Sequence, residues 1–127
     1  MSYPPVFGYA TASPAVTALL GAAPTRFWPF DIAPAPTQAG YGLPYSTHQL
    51  VYGSPENSLS CPAGTDLMGI QVDAYAKTVT QARAVTEALR DALEPHGYVV
   101  SLLGEEWEQA TGLYRSGFTV EFWQDRS

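Results

Sequence analysis

Apolar and polar residues alternate most cleanly over residues 67–76. Met68, Ile70, Val72, Ala74 and Ala76 fall on one side, and Gly69, Gln71, Asp73 and Tyr75 on the other. That period of two predicts a half-buried strand in an antiparallel sheet with helices on one face. The period then changes. Val79, Ala82, Val85, Leu89, Ala92 and Leu93 form one helical stripe, with Arg83, Glu87, Arg90, Asp91 and Glu94 largely opposite. Thr78, three residues before Gln81, opens this helix with a capping box, and Pro95 and Gly97 stop it. A shorter helix is predicted after Ser13, an N-cap followed by Pro14, with Val16, Leu19 and Leu20 at helical spacing and Gly21 as its stop. Residues 47–52, 98–103 and 111–123 read as strands, the last two joined through Gly104 to Gln109, and residues 26–30 as an edge strand or extended segment. Strands dominate and helices are few. The pattern predicts one α+β domain over 1–127: a mostly antiparallel twisted sheet, a short N-terminal helix, and one long helix packed on one face.

Two stretches lack any period. Residues 1–12 mix Pro, Gly and Tyr and read as an extended arm. Residues 31–44 carry Pro34, Pro36, Gly40, Gly42 and Pro44, a loop longer than most connections in compact domains. Tyr41, Leu43 and Tyr45 set it apart from a solvated linker, and Asp31 is its one charge. The loop is expected to be an assembly arm that docks on a neighbour.

Composition narrows function mainly by exclusion. The 127 residues carry a net charge of −6 and only 14% charged residues. Such a chain cannot present the basic face of a general nucleic-acid binder. Its sparse charge suggests surface covered by partners. Cys61 is the single cysteine, which excludes an internal disulfide framework and a Cys-rich metal cage. No charge precedes Arg26, but Pro4, Pro5 and Pro14 break that segment, so neither a signal peptide nor a membrane span is expected.

Candidate chemistry is thin. His48 and His96 are the only histidines, and neither lies beside a nucleophile motif. Glu105, Glu106 and Glu108 flank Trp107 on what reads as a turn, a solvated acidic edge rather than a general acid–base pair. Asp66 and Asp73 are too isolated for a calcium loop. No phosphate loop, dinucleotide turn or paired-cysteine zinc motif is present, so no catalytic, cofactor or metal residue is assigned. Phe27, Trp28, Phe30, Tyr41, Leu43 and Tyr45 read instead as protein-interface anchors, since large aromatic side chains give contact area at low entropic cost.

The run Leu19-Leu20-Gly21, then Arg26 with Trp28-Pro29, then Pro44-Tyr45 resembles the opening of the phage tail-completion family, the tail terminators or tail-to-head joining proteins of long-tailed phages. Ile70-Gln71-Val72-Asp73-Ala74-Tyr75-Ala76, followed by the Ala-rich helix, strengthens the resemblance, which runs over about residues 13–123. The 31–44 loop departs from it in length and proline content. The resemblance implies a non-enzymatic virion subunit at the head-proximal end of the tail, assembled in the bacterial cytoplasm as a six-membered ring. Its implied partners are other copies of itself, the tail tube protein and the head–tail connector or neck proteins. Genomic DNA would pass through the lumen without specific binding, and no membrane is involved. The rival readings are another tail or neck subunit, a small-molecule-binding α+β domain or minor enzyme, and an adaptor for a host protein.

Overall fold

A computed structural model describes residues 3–30, 32–56 and 64–125. In chain order the elements are α1 (Val6–Thr11), α2 (Pro14–Leu20), β1 (Phe27–Pro29), β2 (Tyr45–Glu56), β3 (Thr65–Ala76), α3 (Val79–Leu93), β4 (Tyr98–Glu108) and β5 (Leu113–Asp125). The five strands form one sheet in the order β1-β2-β3-β5-β4. β1 runs parallel to β2, and every other neighbouring pair is antiparallel. This is the expected α+β class, with the helices layered on one face.

Both predicted caps form. Ser13 Oγ accepts from Val16 N at 3.4 Å, and Thr78 Oγ1 accepts from Gln81 N at 3.1 Å. The α3 stripe buries Ala82, Val85, Leu89 and Leu93. It meets Ile70, Val72 and Ala74 of β3, Phe118, Val120 and Phe122 of β5, and Val16 and Leu20 of α2 in one core. Burial at this density supplies the main stabilisation, because helices as short as α1 and α2 do not persist alone.

The structure corrects the sequence at three places. The expected extended arm over 1–12 contains α1, which puts Val6 and Ala10 into the core. Tyr9 stacks on His96 with ring centroids 3.7 Å apart, tying α1 to the end of α3. These contacts are tertiary, so no local period announces the helix. Second, β4 continues to Glu108 and the connection to β5 shrinks to residues 109–112. The three glutamates therefore lie on a strand, not on a turn. Third, β2 and β3 run beyond the strands predicted over 47–52 and 67–76, pairing as far as Glu56 with Thr65. Cys61 and Asp31 lie outside the described residues. Among the described residues, no helix is long and apolar enough to cross a membrane.

Candidate functional site

β4 is one outer strand of the sheet, so its far side offers backbone donors and acceptors that no other strand takes up among the described residues. The helix layer stops short of it. Tyr98, Val100, Leu102 and Trp107 are exposed, Leu102 at 66%. Leu102 shares the helix-side face with its partner Phe118, and it floors an open groove between β4 and α3. Arg83 of α3 spans this groove, donating from Nε and Nη2 to the two carboxylate oxygens of Glu105, each at 2.7 Å. That bidentate bond lowers the Glu105 pKa and raises that of Arg83. Arg115 stands 3.8 Å from Glu106. Glu105 and Glu106 are thus answered by arginines of α3 and β5, and Glu108 Oε1 accepts from Thr111 Oγ1 at 3.2 Å.

At the other edge, β1 is three residues long and covers β2 only at Ser46, Thr47 and His48. Beyond His48 the outer side of β2 has no strand beside it among the described residues. Leu50, Val51 and Tyr52 are exposed there. Next to Leu50 lies an apolar groove of about 440 Å³, formed by Tyr3, Val6, Pro29, Phe30 and Ile70. Phe30 has a φ of 58°, the left-handed region, and is the one non-glycine residue there among those described. Its N–H donates to His48 O at 2.6 Å, while its ring is 64% exposed. Neighbouring Ile32 is exposed as well.

His48 itself is half-buried with its ring 4.5 Å from that of Phe27, and burial lowers its pKa below the ordinary 6.5. Protonation therefore opposes folding at this position. The stabilisation is present above pH 6.5 and is lost as pH falls through the lower folded-state pKa. We expect His48→Gln to flatten the decline of the thermal midpoint below pH 6.5, measured by circular dichroism. An unchanged slope would show that His48 is not held neutral by burial.

The helix-free face carries a polar network along its middle. Asp73 accepts from Arg115 Nε at 3.2 Å and from Gln71 Nε2 at 2.9 Å. Arg115 also lies 5.9 Å over the Tyr75 ring, which stacks on Tyr45 at 4.9 Å. The Tyr52 ring covers Gly69, where any side chain would displace it, and its hydroxyl donates to Glu121 at 2.6 Å. That bond holds the phenol protonated, with its pKa pushed up to about 12. Among the described residues, no buried side-chain polar atom lacks a partner and no group of His, Cys, Asp or Glu could hold a metal.

The expected interface residues separate. Phe27 is 1% exposed and belongs to the core, a correction that follows from β1 tucking its side chain under the helices. Trp28 is half-buried, close to Gly40 of the loop. Tyr41, Leu43 and Tyr45 are half-buried, and Phe30 is exposed. The loop after Phe30 is folded back on the body. Arg26 donates to Pro44 O at 2.8 Å and to Leu19 O at 3.0 Å, and a Cβ at Gly42 would come within 2.8 Å of Arg26 Cδ. Ile32, Tyr98, Leu102, Trp107 and Trp123 are exposed apolar residues that the sequence reading did not single out. A signal was present for β4: the run Tyr-Val-Val-Ser-Leu-Leu does not alternate, although the strand lies at an edge.

No curated protein matches the chain. One solved structure, described as the virion of a native gene transfer agent (GTA) particle, contains a chain with a similar fold. It is 17% identical, with a TM-score of 0.67, over 94% of this chain and 91% of that one. The family described as tail completion protein gp17 matches residues 4–125. The chain therefore belongs to the tail completion protein gp17 family and is a structural protein of the phage virion tail rather than an enzyme.

Proposed function

We propose that this chain is the tail terminator subunit, forming a six-membered ring that caps the finished tail tube and presents the surface on which the head docks. The observation that supports it is a sheet that, among the described residues, is open at both edges and bordered by exposed apolar side chains, in a chain with few charges. Monomeric proteins protect such edges with lysines or prolines, or by covering them. Two different open edges suit head-to-tail contacts, which close into a ring when the rotation per subunit allows it. One face of the ring would compete with tube subunits for the growing end of the tube, and the other would refuse a further tube subunit while accepting the neck proteins. DNA would pass through the lumen without specific contacts, as the chain's negative charge favours. The 31–44 loop, with Phe30 and Ile32 at its base, would contact the neighbouring subunit or the adjacent tail ring.

Two measurements test this reading. Negative-stain images and light scattering of the concentrated protein should show closed rings. Phage lacking the protein should accumulate tails of abnormal length without heads. A strict monomer at high concentration, absent also from the head-proximal end of labelled tails, would overturn the reading. Label found elsewhere on the tail or neck would assign the chain to another structural position.

A further inference from the structure

We infer that the ring closes through one continuous sheet: β4 of each subunit adds to the open outer side of β2 in the next, and Leu102 seats in the apolar groove beside Leu50. The inference rests on the ring reading and specifies which surfaces meet. Three observations carry it. First, the two free edges lie at opposite ends of the same sheet, so each contact with the next copy joins one edge of each kind and a closed ring leaves neither free. β1 ends at Pro29 and leaves residues 49–56 of β2 open, while β4 is 11 residues long.

Second, directions and faces agree. β2, β3, β5 and β4 alternate in direction. A rotation that carries one sheet onto the next brings β4 beside β2 antiparallel, the better-bonded arrangement. It also keeps the helix layers on one side. Leu50 pairs with Ile70 and Leu102 with Phe118, so both leucines face the helix layer. Hence Leu102 arrives on the side where Tyr3, Val6, Pro29 and Phe30 form the groove.

Third, the electrostatics allow it. Residues 49–54 and 98–103 contain no charged side chain. Joining them desolvates no ion, and burying two rows of unpaired backbone satisfies both. Meeting β4 to β4 by a two-fold axis would instead leave the open side of β2 and its apolar groove unfilled.

Cross-linking decides between these arrangements. In a Cys61→Ser background, Leu50→Cys and Leu102→Cys are introduced singly and together, both at exposed positions. The assembled protein is then treated with a short bis-maleimide. The double variant should give a ladder of covalent species ending at the ring, each single variant only monomer, and a mixture of the two single variants a dimer and nothing larger. Dimers from Leu102→Cys alone would show β4 pairing with itself and overturn the inference. Rings visible in micrographs of the double variant without cross-linked species would leave the ring reading standing and remove this edge pairing. Absence of any association would remove both.

Discussion

Leu89→Asp is expected to abolish the folded subunit. Leu89 is fully buried at the centre of the α3 stripe, within the same core as residues of β3, β5 and α2. A carboxylate there has no cation in reach of the core, since Arg83 and Arg90 of α3 are exposed and already paired with Glu105 and Glu94. Burying an unpaired charge costs several kcal/mol, set against a total stability of about 5–15 kcal/mol for a domain. Val85→Asp should act the same way, because Val85 is equally buried. Glu87→Ala, on the exposed face, should shift stability by no more than about 0.5 kcal/mol. Circular dichroism melts measure all three. A native-like transition in Leu89→Asp would contradict the burial of α3 against the sheet.

Phe30→Gly is expected to separate stability from assembly. A non-glycine residue in the left-handed region carries roughly 1–2 kcal/mol of strain. Glycine removes that strain but brings back about 0.5–1 kcal/mol of backbone entropy. The isolated subunit should therefore be unchanged or more stable, by up to about 1 kcal/mol, which raises the midpoint by a few degrees. Assembly should nevertheless fail. The exposed ring contributes a wall of the groove beside Leu50, and its truncation removes an aromatic anchor of the kind that dominates interface energies. Backbone strain that the subunit's own stability does not require is a mark of functional selection. Thermal melts and negative-stain images of the same preparation provide the two readings. A less stable Phe30→Gly subunit that still assembles would place the role of Phe30 inside the fold.

These outcomes bear on how the fold is encoded. The α3 stripe, its capping box, the β3 alternation and the Ser13 cap are all visible in the chain, because each depends on a local period or on residues three apart. They were sufficient to place the core helix against a sheet. The candidate surface was legible only in part. Phe30 is exposed, yet Phe27, three residues earlier in the same aromatic run, is core. An aromatic side chain looks the same in sequence whether it faces a partner or its own helices.

Local periods, and with them the α+β class and the identity of the long helix, are carried by the chain's own residues. Tertiary structure decided the edges. β4 reaches Glu108 because β5 accepts it across two register shifts, and the arginines that answer its glutamates come from α3 and from β5. In β2 a register shift between Leu50 and Tyr52 reverses the alternation. Sequence parity would set Tyr52 on the same side as His48 and Leu50. The shift instead turns it to the helix-free face, over Gly69 and onto Glu121. A strand's period is a property of its own residues, but a bulge, an open edge and the side on which a tyrosine lands are properties of the strand next to it.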